Sequence, residues 1–131
     1  MHQSIKPVGV FEPVSGLYSQ VIVTHSPIRY EIAGTLAYDS EGRLPTSLAE
    51  QCRAVMRNID LSLAAVNLEP ANVIRMRIYT LDMDAFLREG LEIVFGHFGN
   101  VRPTSTLVQV VRLANPKMLV EIDATAAPFE A

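Results

Sequence analysis

The sequence predicts a single α+β domain in the order β-β-α-β-α-β-β, with a mixed sheet carrying two helices on one face. Three observations lead there. An apolar stripe at steps of three and four runs from Leu48 to Leu68, and β-rich runs lie on both sides of it. At 131 residues, 49% of them hydrophobic, the chain suits one core that buries roughly two-thirds of its unfolded surface.

Residues 1 to 17 contain Pro7, Gly9, Pro13 and Gly16 and read as an irregular arm, with one short strand expected at Val8 to Phe11. Tyr18 to Thr24 is a β-rich run closed by Ser26-Pro27. A second run, Ile28 to Tyr38, ends at the turn signal Asp39-Ser40-Glu41-Gly42. The long helix follows, with Leu48, Cys52, Val55, Ile59, Leu63 and Val66 on one stripe. Ser47 and Glu50 form a capping-box pattern at its start, and Asn67 and Pro70 mark its end. Val73 to Leu81 is the third strand, with Ile74, Met76 and Ile78 alternating against Arg75, Arg77 and Tyr79. Asp82 caps a second helix that carries Phe86, Leu91, Val94, Phe95 and Phe98 up to Gly99. Two strands remain, Thr104 to Leu113 and Met118 to Ala126, and no repeat, linker or low-complexity tract interrupts the order.

Composition excludes several classes of function. Net charge is −3, from 11 Lys+Arg and 14 Asp+Glu, with no run of like charges, so the basic footprint of a nucleic-acid binder is missing. The one cysteine, Cys52, cannot form an intramolecular disulfide and favours a reducing cytosol. No basic stretch leads into an apolar run at the start, and no apolar segment reaches the roughly 20 residues of a membrane helix. A soluble, cytoplasmic protein with no membrane partner is expected. His2, His25 and His97 are scattered without a ligand pair, so no metal site is expected.

The late strands read as apolar on both faces: Val108 and Val110 oppose Leu107 and Val111, and Val120 and Ile122 oppose Leu119. Two helices cover only one face. The other is then expected to be buried against another copy of the chain.

The segment Arg102-Pro103-Thr104-Ser105-Thr106-Leu107-Val108-Gln109-Val110-Val111-Arg112-Leu113, followed by Met118-Leu119-Val120-Glu121-Ile122-Asp123-Ala124-Thr125-Ala126, strongly resembles the RidA family, the YjgF-like reactive intermediate deaminases. Gly16-Leu17-Tyr18-Ser19-Gln20, Ala33-Gly34 and Tyr79-Thr80-Leu81-Asp82-Met83-Asp84-Ala85-Phe86 extend the match over nearly the whole chain. The resemblance implies a chorismate-mutase-like fold, a homotrimer and small-molecule pockets at the subunit interfaces. It also implies hydrolysis of enamines and imines such as 2-aminoacrylate, without metal or cofactor.

By the same resemblance, Glu121 matches the glutamate that positions the attacking water, and Tyr18 the tyrosine that helps close the pocket. The family's arginine, whose planar fork suits a substrate carboxylate, is replaced by Ser105 in Pro103-Thr104-Ser105-Thr106. Its small polar residue on the second strand is Ala33, and its helix asparagine falls at Gly90. A pocket lined by Tyr18, Ala33, Gly90, Ser105 and Leu107 around a catalytic Glu121 is therefore expected. Each residue also has a plainer reading: Glu121 as an interface carboxylate paired with Arg75, Arg77 or Arg112, Tyr18 as a strand-edge aromatic, Ser105 as a neutral lining residue and Cys52 as core. Arg102 is a candidate substitute cation, displaced by about 10 Å along an extended strand.

Three functions stay open on the sequence. One is hydrolysis of a small enamine, imine or related compound lacking the usual carboxylate. The second is non-catalytic binding of a metabolite or a partner by the trimer. Ribonuclease activity, attached to some relatives under the name endoribonuclease L-PSP, is the third, and the acidic balance counts against it.

Overall fold

The computed structural model describes residues 1–129; the expected domain ran two residues further. Chain order is β1 (Gln3–Ile5), β2 (Val21–Val23), β3 (Tyr30–Thr35), α1 (Leu48–Ala65), β4 (Val73–Thr80), α2 (Met83–Glu89), α3 (Leu91–Gly96), β5 (Thr104–Gln109) and β6 (Val120–Ala126). The main sheet has four strands in the order β3-β6-β4-β5, with β4 and β5 parallel and the other pairs antiparallel. The antiparallel pair β1-β2 forms a separate small sheet. The class is α+β with a mixed sheet, as the sequence reads. Several details differ: the first strand is Gln3–Ile5, because Val8 and Gly9 form a turn with Gly9 at φ 85°, three helices replace two, and β2, β3, β5 and β6 are shorter than the runs that predict them.

Helix α1 forms where the periodic stripe lies. Ser47 Oγ accepts the Glu50 N–H at 3.1 Å. The reciprocal half of the expected box is not made, and Glu50 pairs instead with Arg53 one turn on. Asn67, at φ 60°, ends the helix in the left-handed region, and the Leu68 N–H reaches back to the Leu63 carbonyl at 2.9 Å. The stripe buries Cys52, Val55, Met56, Ile59 and Leu63 completely or nearly so. Each large apolar side chain removed from water contributes about 1.5–3 kcal/mol. They pack on Met76 and Ile78 of β4 and Val120 and Ile122 of β6, with Phe86 and Val94 closing the far side.

The second helix is divided at Gly90, which packs closely on the core. Its backbone lies so near the core that an added Cβ would stand 2.8 Å from Phe86 Cδ2 and 2.9 Å from Cys52 Sγ. Asp82 caps the first half by accepting the Ala85 N–H at 3.0 Å.

A buried Gln51 holds the helix to the loops. Its Nε2 donates to the carbonyls of Pro45 and Lys117, both at 2.9 Å, and its Oε1 accepts the Leu119 N–H at 2.8 Å. All of its amide atoms that face protein are paired, so its complete burial carries no unmet polar cost.

Candidate functional site

Register decides which side chains share a face. β4 places Arg75, Arg77 and Tyr79 opposite Thr104, Thr106 and Val108 of β5, and opposite Thr125, Asp123 and Glu121 of β6. These residues occupy the face that the helices leave open. Met76 and Ile78 point the other way, into the core. The open face is thus mostly polar, which corrects the expectation of a sheet apolar on both sides. Val108 is its one large aliphatic on β5, whereas Val110 and Val111 lie beyond the end of β5 and Leu119 precedes β6.

The charges on this face are unevenly paired. Arg77 Nε donates to both oxygens of Asp123, at 3.0 and 3.2 Å, and the Tyr79 hydroxyl adds a bond to Oδ2 at 3.4 Å. This carboxylate beside Arg77 holds the guanidinium above its ordinary pKa. Glu31 accepts the Thr125 hydroxyl at 3.0 Å and has Arg29 at 4.0 Å. Glu121 is different. Among the described residues it has no hydrogen-bond partner for its side chain and no cation within 4.0 Å. Half-buried, it lies over β3 where Ala33 and Gly34 form an irregularity in the pairing with β6, between Ile32 opposite Ala124 and Thr35 opposite Ile122. A Cβ on Gly34 would stand 2.9 Å from Glu121 Cδ, so only a glycine leaves the carboxylate its place.

Ala33 and Glu121 therefore belong to one cluster, with Gly34 beneath. Ser105 and Leu107 do not join it within one chain. They pair with Met76 and Ile78 and so face the helices; Leu107 packs on the core edge. Glu121 stands opposite Tyr79, three residues further along β4 than Met76, or about 10 Å along the strand. The expectation that a neighbouring strand brings Glu121 beside Ser105 and Leu107 on one face is corrected: alternation sends them to opposite faces. Gly90 is buried between Phe86 and Cys52 within the chain.

Within one chain Arg102 is held by backbone carbonyls and stands away from Glu121. Its Nε donates to the Gly16 carbonyl at 2.9 Å, and Nη1 bonds the carbonyls of Gly99 and Val101. It sits six residues before Val108, the β5 residue level with Tyr79 and Glu121, which is about 20 Å of strand. Its work is to tie the N-terminal arm to the loop before β5. The Ser19 N–H, donating to the Pro103 carbonyl at 3.1 Å, does the same. Tyr18, half-buried beside this junction, lies at the Ser105 end of β5 and away from Glu121.

Tyr18 and Arg102 also line a cavity of about 580 Å³ beneath the arm, together with His2, Phe11, Ile22 and Val101. Sequence reasoning missed this cavity, because an irregular arm carries no periodicity to say what it covers. It also left the role of Gly34 unassigned, although a glycine inside a β run is itself a sign of a bulge or a close approach. Cys52 is fully buried, and burial pushes its thiol up to about 12. Among the described residues, no group of three or more His, Cys, Asp or Glu is placed to hold a metal, and no helix is long and apolar enough to cross a membrane.

Residues 11–128 match the family model described as endoribonuclease L-PSP. The chain is 33% identical over 114 residues to a RutC family protein of Pyrococcus horikoshii, covering 85% of this chain and 86% of that one. Among solved structures, a conserved Rid family protein of unknown function from Yersinia pestis superposes with a TM-score of 0.89 at 27% identity, over 97% of this chain and 98% of that chain. Escherichia coli TdcF, solved with bound serine, shares the fold with a TM-score of 0.71 at 22% identity, over 96% and 98% of the two chains. With its arrangement of helices and mixed sheet and a match over nearly all its length, the chain belongs to the endoribonuclease L-PSP family, the Rid or YjgF-like group.

Proposed function

We propose that this protein is a homo-oligomer, a trimer as its family resemblance implies, with small-molecule sites completed between copies. Glu121 and Ala33, above Gly34, would come from one copy and Tyr18, Ser105 and Leu107 from the next. One observation carries this reading: the two groups lie on opposite faces of a single sheet, so one chain cannot close a pocket around both. The serine bound to TdcF supports a small-molecule role for this fold. The acidic balance of the chain favours such a ligand over RNA, and its single cysteine suits a reducing cytoplasm.

The chemistry that fits is hydrolysis of a small imine or enamine. Glu121 would accept a proton from water as the water oxygen bonds to the imine carbon. The proton then passes to nitrogen, giving a carbinolamine. Its hydroxyl proton follows to nitrogen as the C–N bond breaks and the C=O bond forms, and ammonia leaves a carbonyl compound. An enamine first takes a proton at carbon to become the imine. Ser105 in place of a cation favours a second reading, binding without turnover, for any ligand that needs its carboxylate held. Light scattering after size exclusion tests the assembly. A mass near three times the 14.4 kDa chain is expected, and a monomer at micromolar concentration overturns the composite site.

A further inference from the structure

We infer that the cavity beneath the N-terminal arm is a binding site of its own, and that it takes a small organic carboxylate with an apolar body. Of the residues proposed to meet between copies, only Tyr18 lines it; Ala33, Ser105, Leu107 and Glu121 do not. Its volume of about 580 Å³ falls within the range of roughly 300–1,000 Å³ usual for small-molecule pockets. The arm is pinned over this space within one chain, at Phe11 and again at Gly16. Gln20 Nε2 donates to the Phe11 carbonyl and Arg102 Nε to the Gly16 carbonyl, both at 2.9 Å.

Charge and exposure set the ligand class. Among the side chains of the lining, Lys6 and Arg102 are cations and Glu12 is the one acid, so a single positive charge is in surplus here although the chain as a whole carries −3. A monoanion matches that surplus, whereas a doubly charged phosphate exceeds it and meets Glu12 as well. Arg102 bonds carbonyls through Nε and Nη1, which leaves the N–H groups of Nη2 without a partner among the described residues. Lys6 is exposed and makes no ion pair there either. His2 is engaged with the Ala127 carbonyl at 2.9 Å. Carboxylate oxygens accept from such cationic donors in short, charge-assisted bonds. The apolar body follows from the walls. Ile5, Ile22 and Val101 line the space, and Phe11 lines it while 85% exposed, so a hydrocarbon skeleton laid against them removes apolar surface from water.

Three probes of one shape test it: 3-phenylpropionate, 3-phenyl-1-propanol and 3-phenylpropylammonium, titrated into the full chain at constant ionic strength and followed by backbone amide chemical shifts. The carboxylate should bind ahead of the alcohol, with the ammonium last, and the shifts should gather at Lys6, Tyr18, Val101 and Arg102. Lys6→Gln alters an exposed side chain and leaves the core untouched. It should weaken 3-phenylpropionate roughly fivefold, and Glu12→Gln should tighten it roughly twofold, with the alcohol unchanged in both. An ammonium probe that binds as well as the carboxylate overturns the inference. So does carboxylate binding that ignores Lys6→Gln or is absent at tens of millimolar. Shifts confined to Ala33, Gly34 and Glu121 overturn it as well, because they place the carboxylate in the other site.

Discussion

The carboxylate of Glu121 lies directly over the backbone of Gly34, with room for a hydrogen but not for a methyl group. The glycine is needed for space, since its φ is not in the left-handed region. Gly34→Ala should therefore move Glu121 rather than break the strand, because the clashing atoms are the free end of a flexible side chain. The Glu121 carboxylate should be displaced, while thermal unfolding shifts by less than about 5 °C. Calorimetry beside a crystal structure of the variant checks both. A Glu121 side chain left in place would contradict the close approach.

Deamination of 2-aminoacrylate should be slow. The carboxylate of that substrate would enter a cleft where Ser105 offers one neutral hydrogen bond and Glu121 repels it. Losing a charge-assisted pair costs about 2–5 kcal/mol, a factor of roughly 30 to several thousand in kcat/KM. An assay coupled to a serine dehydratase measures it as pyruvate release. Ser105→Arg should raise the rate if the rest of the site is intact; a wild-type rate equal to that of arginine-bearing relatives would contradict the assignment.

Gln51→Ala should be among the most damaging polar substitutions. It strands the Leu119 N–H and the carbonyls of Pro45 and Lys117, and it opens a void in a fully buried place. A loss of about 3 kcal/mol is expected, read as a lower urea midpoint with an unchanged slope.

Cys52 should resist thiol reagents in the native protein at pH 8 and react only on unfolding, because burial keeps the thiol neutral. Burial raises the folded pKa to about 12, above the thiol's ordinary 9.0. Its contribution is fully present below the unfolded value and is lost as pH climbs from there toward 12, since only the unfolded chain ionises in that window. The stability difference between wild type and Cys52→Ala should shrink over that range and stay constant below it.

Arg102→Ala should release the N-terminal arm without touching the core. Amide exchange at residues 14–17 is expected to quicken, and global stability to fall by only about 1 kcal/mol, since the side chain bonds backbone carbonyls at a partly exposed junction. Unchanged exchange would show that the Ser19 bond to Pro103 holds the arm alone.

Element types were legible in the sequence wherever the pattern was local. The stripe of α1, the alternation of Val73 to Thr80 and the caps Ser47 and Asp82 each follow from bonds within a few residues. The close packing at Gly90 was not legible, because it depends on Cys52, which lies 38 residues earlier in the chain. The polarity of the open face was misread for a related reason. An apolar residue next to a strand and one inside it look alike until the ladder fixes where the strand stops, and β5 stops at Gln109.

The sequence by itself determined the α+β class, the family and the loss of the arginine at Ser105, since these depend on residue identity and order. Only the tertiary structure decided that Ser105 and Glu121 stand on opposite faces, that Arg102 is tied to the arm and that Gly34 leaves room for a carboxylate. Register across strands is a long-range property, and a shift of one residue reverses every face. No local pattern in β5 or β6 records that choice, which is made by the pairing of both with β4.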